Sequence, residues 1–188
     1  MIEVRPGGRR RIDRVLDPGY VRGLGELSLD GLRERRDEAA QEETDLSYLR
    51  RLLHARIDIV RAEQQRRSTG GQSSIVDQLA TILADNALRP ARGSGRHQDL
   101  EPSRAGEHRR QAEALVGNSD LTDVGTLSDD KLAETLRDYG EEEASVSTRR
   151  REVQAVVDLF NSEIATRYRD RTASVDDLLA AERAREDD

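Results

Sequence analysis

The sequence predicts an all-α protein in which two long helices pair as an antiparallel coiled coil, each followed by a shorter helix. Three observations carry that prediction. The first is composition: of 188 residues, 35% are hydrophobic and 37% charged, Trp is absent and Phe occurs once. So lean an apolar content suits the narrow seam of a long amphipathic helix better than the core of a globule. The second is periodicity, with apolar residues at coiled-coil spacing in two separate stretches. The third is self-similarity. Residues 21–80 slide onto 121–180 without a gap and give 19 identities in 60 positions. Chance in so biased a composition would give roughly a quarter as many, so the chain reads as an internal duplication.

Taken in order, residues 1–20 are rich in Gly, Pro and Arg and read as a flexible N-terminal arm. Residues 21–85 form repeat 1. Ser28, with Asp30 two positions on, is an N-cap with a carboxylate in the first turn. A helical pattern follows to about Arg67, weakened at Gly31 by ~1 kcal/mol relative to Ala. The segment from Ser68 to Ser73, with Gly70 and Gly71, ends it. Ser74 to Asp77 resembles a capping box that opens the shorter helix. Residues 86–118 contain Pro90, Pro102 and four Gly and read as a mobile linker. Residues 119–188 form repeat 2, with Ser128 and Asp130 at its helix start. Gly140 is its weak point, the pattern ends at about Tyr168, and Ser174 to Asp177 opens a second short helix. The two repeats should make one structural unit, because neither helix has enough apolar surface to be stable alone. The linker of about thirty residues permits antiparallel or parallel pairing, and antiparallel is expected.

That surface is a seam about two residues per heptad wide. Leu46, Leu49, Leu53, Ile57 and Val60 are spaced 3-4-4-3. Repeat 2 shows it as Val146, Val153, Val157, Phe160 and Ile164, with Arg149 interrupting. Beside the seam runs a polar stripe. Glu43, Ser47, Arg50, His54 and Asp58 are spaced 4-3-4-4, which places them in a band about 80° wide on one helix. Glu143, Ser147, Arg150, Gln154 and Asp158 repeat it, and Arg51 and Arg151 lie at its edge. A charged band is usually a solvated face laced with ion pairs, and such a face drifts between copies. Neighbouring positions have drifted: Arg35/Thr135, Arg36/Leu136, Asp37/Arg137 and Arg61/Asn161. The stripe kept four identities of five, and His54/Gln154 exchanges one hydrogen-bonding side chain for another. It reads as a binding surface.

Several classes are disfavoured. A net charge of −7 argues against direct nucleic-acid binding, although 30 of the 31 basic residues are Arg and only Lys131 is Lys. Cys is absent, and His54, His97 and His108 have no metal-ligand spacing, so neither a metal nor a disulfide framework is expected. No glycine-rich loop opens a helix after a strand, which speaks against an enzyme. The first residues lack the apolar stretch of a signal peptide, and no apolar run approaches ~18 residues. A cytoplasmic protein without membrane contact is expected, a monomer with an internal pseudo-dimer.

The stripe suits guanine and phosphate, although its spacing alone does not choose such a ligand over a protein surface. A carboxylate matches guanine N1–H and N2–H, Arg matches O6 with N7, and Arg with Ser hydroxyl meets phosphate. Its pattern, Glu-x3-Ser-x2-Arg-x3-Gln-x3-Asp, resembles the signature of the RsiG family of actinobacterial anti-sigma factors. Repeat 2 matches in full through Glu143, Ser147, Arg150, Gln154 and Asp158, and repeat 1 departs only at His54. The resemblance implies an antiparallel coiled coil that binds a dimer of cyclic di-GMP between the motif-bearing helices. In that form it would sequester a WhiG-type sporulation sigma factor of RNA polymerase. It further implies that Glu43, Asp58, Glu143 and Asp158 read guanine edges. Arg50 and Arg150 would contact guanine or phosphate, and Ser47, Ser147 and Gln154 would complete the set. His54 can donate or accept like Gln, but its charge depends on pH. Arg51 and Arg151 should face or edge the ligand. The competing reading is a constitutive coiled-coil scaffold whose stripe makes ion pairs and binds no nucleotide. The short helices, with Ile75, Leu79, Ile82 and Leu83 in repeat 1 and Val175, Leu178 and Leu179 in repeat 2, either meet the sigma factor or fold back on the coiled coil.

Overall fold

A computed structural model describes residues 2–70 and 124–170. Their elements are a short helix α1 (Arg11–Val15), a 3₁₀ turn at Leu24–Glu26, helix α2 (Leu29–Ser68), a second 3₁₀ turn at Val124–Thr126 and helix α3 (Asp129–Arg169). Among the described residues there is no strand. The expected short helices at Ser74 and Ser174 and the linker of residues 86–118 lie outside the described residues.

The two repeats build their helix starts with the same parts. Ser28 Oγ accepts from the Gly31 amide at 3.1 Å, and Ser128 Oγ accepts from the Lys131 amide at 3.2 Å. Each bond satisfies one of the orphan N–H groups that any helix start leaves. Each start is preceded by a 3₁₀ turn, at positions one hundred residues apart. The duplication read from identities is therefore a duplication of local structure. Neither Gly31 nor Gly140 interrupts its helix.

The described residues divide into two compact units, and the division runs through both long helices. One unit comprises Met1–Glu3 with Thr44–Arg150, the other Val4–Glu43 with Arg151–Asp188. Repeat boundaries would have split the chain between the helices. Antiparallel pairing splits it across them, because the second half of α2 has the first half of α3 as its neighbour.

In the first unit that pairing is fixed at two places. Arg50 meets Glu143, and Arg67 meets Asp129, so the two helices run in opposite directions. Leu46, Leu49, Leu53, Ile57 and Val60 are all buried, as the seam predicts, and so are Val124, Leu132, Tyr139 and Val146 of the same unit. Arg149 breaks the apolar spacing of α3, and the chain's start compensates. The Ile2 amide donates to Ser145 Oγ at 2.9 Å, Arg149 Nε donates to the Ile2 carbonyl at 3.2 Å, and the Ile2 side chain is buried.

In the second unit Leu32, Phe160 and Ile164 form a buried cluster, flanked by Tyr20, Leu24, Leu27 and Tyr168. The Tyr20 ring stands edge-on to Phe160 at 5.7 Å. Its hydroxyl donates to the Arg35 carbonyl, and Arg35 returns a bond to the Tyr20 carbonyl at 2.7 Å.

Of the segment 1–20, read from sequence as a flexible arm, residues 2–20 are built into the structure. Ile12 and Val15 of α1 are buried in the second unit, together with Asp13. Asp13 accepts from the Arg5 amide at 2.8 Å and from Arg10 through two nitrogens at 2.7 Å each. Gly8 packs so close that a Cβ there would stand 2.2 Å from Asp13 Oδ2. Arg14 reaches Glu38, and Arg11 lies 3.7 Å from the buried Glu42. The three buried apolar residues, Ile2, Ile12 and Val15, set no readable period among the Gly and Arg, and of the carboxylates that hold the segment Glu38 and Glu42 lie beyond it in sequence.

Candidate functional site

The stripe residues of the first unit are Ser47, Arg50, Arg51, His54 and Asp58 on α2, with Glu143, Ser147 and Arg150 on α3. The structure brings the two copies together here. Glu143 is the centre. Its Oε1 accepts from Arg50 Nε at 3.0 Å and from Ser147 Oγ at 2.6 Å, and His54 Nε2 lies 3.0 Å away. A bond to that oxygen needs the imidazole proton on Nε2. Arg50 Nε is shared, with Ser147 Oγ at 2.9 Å. Four motif positions, two from each repeat, thus form one hydrogen-bonded cluster at the seam's edge.

The electrostatics follow from those contacts. Partial burial pushes the Glu143 carboxyl pKa up, but bonds from Ser147, Arg50 and His54 outweigh it, and the net shift is downward. Glu143 therefore stays ionised beside two basic side chains that remain partly exposed. The cluster is a polar surface closed on itself, with all its members reachable from solvent. A ligand that supplies paired N–H donors and anionic oxygens could exchange partners with each of them.

Other predicted residues stand differently. Arg51 is exposed and donates through Nε to the Ser47 carbonyl at 3.4 Å. Asp58 is half-buried and has no side-chain partner among the described residues. Arg150 is partly buried on α3. Glu43, Arg151, Gln154 and Asp158 belong to the second unit. Glu43 is partly buried there, and the other three are exposed. Asp158 repeats the condition of Asp58, having no side-chain partner among the described residues.

A further retained pair turns out to be structural. Glu63 and Arg67 are identical to Glu163 and Arg167. Buried Glu63 accepts from Arg67 Nε at 2.7 Å, and Arg67 reaches the Gly125 carbonyl at 3.1 Å and Asp129 at 2.6 Å. In the second unit Glu163 accepts from Arg167 Nε at 3.0 Å, and Arg167 donates to the carbonyls of Leu24, at 2.9 Å, and Leu27. Each end-of-helix Arg therefore holds the 3₁₀ turn that opens the other repeat. Retention alone would not have separated this clamp from the stripe; position at the helix end does.

Among the described residues no group of His, Cys, Asp or Glu could hold a metal ion, and no helix is long and apolar enough to cross a membrane. A family model described as RsiG-like matches residues 18–83 and 118–185. These are the two repeats in turn. No curated protein matches the chain.

Proposed function

Since the chain belongs to the RsiG-like family, which points to an anti-sigma role with a sigma factor as partner, we propose that it is a cyclic di-GMP-dependent anti-sigma factor. In this reading a dimer of cyclic di-GMP binds on the two helical motifs, and the loaded protein sequesters a WhiG-type sporulation sigma factor and so blocks transcription of its regulon. The observation that carries the reading is the cluster of Arg50, His54, Glu143 and Ser147, where motif residues of both repeats share one surface.

Each residue has a chemical task. Asp58 and Glu143 would accept from guanine N1–H and N2–H, and Arg50 and Arg150 would meet O6 and N7 or phosphate. Ser47 and Ser147 would bond phosphate or ribose, and His54 would donate where repeat 2 has Gln154. The motif assigns Glu43, Gln154 and Asp158 the same tasks. A cyclic di-GMP dimer carries four phosphate charges, and an acidic protein needs local guanidinium groups for it; Arg50, Arg51, Arg150 and Arg151 are those assigned. The regulator's work is binding, and no residue is given a catalytic role.

Replacing Arg50 and Arg150 together by Ala should abolish binding in calorimetry with cyclic di-GMP while the helical circular dichroism stays unchanged. Undiminished affinity would remove the site assignment. The self-satisfied cluster also fits a constitutive coiled-coil scaffold, which takes up no nucleotide. Co-purification with the sigma factor, with and without cyclic di-GMP, separates the two: capture that ignores the nucleotide supports the scaffold.

A further inference from the structure

Tyr139 carries a polar atom that the fold leaves unanswered. Its side chain is buried, only 6% exposed, and its hydroxyl has no hydrogen-bond partner among the described residues. A buried hydroxyl without a partner is uncommon and costly, and it calls for an explanation. Repeat 1 has Ala39 at the matching position, so the seam itself does not require a hydroxyl.

Its position supplies the explanation. Tyr139 is four residues before Glu143, one turn back on the same side of α3. It sits at the seam position that borders the stripe, about 40° round the helix from Glu143. In the antiparallel pairing of this unit, Glu143 faces His54. One turn back on α3 corresponds to one turn forward on α2, which is Asp58. Asp58 is the stripe residue of this unit with no side-chain partner among the described residues. By that register Tyr139 and Asp58 belong to the same level of the helix pair, one turn from the Glu143 cluster.

We propose that Tyr139 is a further ligand-reading residue, donating its hydroxyl to guanine O6 while Asp58 accepts from N1–H and N2–H of the same base. The proposal rests on the cyclic di-GMP reading above. Guanine presents an acceptor and two donors side by side on one edge, and a hydroxyl beside a carboxylate answers them. Adenine presents its N1 acceptor where the carboxylate also accepts, so the pair rejects it. Asp158, whose helix partner at the matching position is Ala39, reads its guanine without that hydroxyl.

Tyr139→Phe removes the oxygen and keeps the ring. Calorimetry with cyclic di-GMP and with cyclic di-AMP, beside a thermal melt of the ligand-free protein, tests the idea. Cyclic di-GMP should bind Y139F about three- to tenfold more weakly, the worth of one neutral hydrogen bond. The preference over cyclic di-AMP should shrink, and the ligand-free melting temperature should hold or rise, since an orphaned hydroxyl has gone. Equal cyclic di-GMP affinity in Y139F and wild type would overturn the role of Tyr139 and leave the ligand assignment standing. A folded wild type that takes up no cyclic di-GMP would overturn both.

Discussion

Asp13 shows how one side chain can order a stretch that composition describes as loose. The Arg10 guanidinium and the Arg5 amide hold its carboxyl down at about 2 against the opposing effect of burial. Replacing Asp13 with Asn exchanges charge-assisted bonds for weaker ones, and we expect a loss of about 2 kcal/mol. Urea melts would measure it, and amide exchange in residues 5–15 should quicken first. Unaltered exchange there would mean that Asp13 is incidental to the segment's order. Gly8→Ala should act in the same direction, since its methyl would overlap the Asp13 carboxylate. Glu143 is a different kind of centre. Its partners come from the stripe, and their exposure leaves them free to change partners.

At the scale of elements, α2 and α3 owe their starts to serine caps and their length to uninterrupted side-chain periodicity. Gly140 is the exception inside α3, and a Cβ there would meet nothing within 4 Å. Gly140→Ala should therefore stabilise the protein by about 1 kcal/mol, seen as a higher melting temperature with unchanged ligand affinity. A lower melting temperature would show a packing contact at that position. These helices were legible in the sequence because their signals are local. Ser28 and Ser128 announced the starts, the patterns ended within a residue of Ser68 and Arg169, and the 3-4 spacing named the buried seam. The antiparallel pairing was expected and is found. The candidate site was legible for a related reason, since a duplicated chain carries its own comparison. What the sequence hid is non-local. Ile2 docks on Ser145 and Arg149 across more than 140 residues, and the 3₁₀ turns are held by Arg67 and Arg167. Tyr139 was hidden too, because an apolar ring at a seam position looks like core until its hydroxyl is found without a partner.

For the whole molecule, stability should follow the carboxylates that the fold holds ionised. Asp13 and Glu63 both sit at about 2, below ordinary values of 3.8 and 4.5, and Glu143 is lowered as well. For Glu63 the cause is the pair Arg66 and Arg67. Groups with depressed values in the folded state stabilise it fully above their unfolded values, and the stabilisation is lost as the pH falls through the folded ones. Melting temperature should thus vary little on account of these groups down to about pH 5, then fall toward pH 2. A melt at pH 3 that matches the melt at pH 7 would contradict that linkage. The paired clamps have a consequence for ancestry. Every grip that Arg67 or Arg167 makes on a 3₁₀ turn joins one repeat to the other. A chain with a single repeat could satisfy the same bonds with a second copy of itself, as a twofold dimer. Such a dimer must show each residue twice. Fusing the copies into one chain lifts that symmetry, and each half becomes free to specialise: His54 where the other repeat has Gln154, and a hydroxyl at Tyr139 where Ala39 has none.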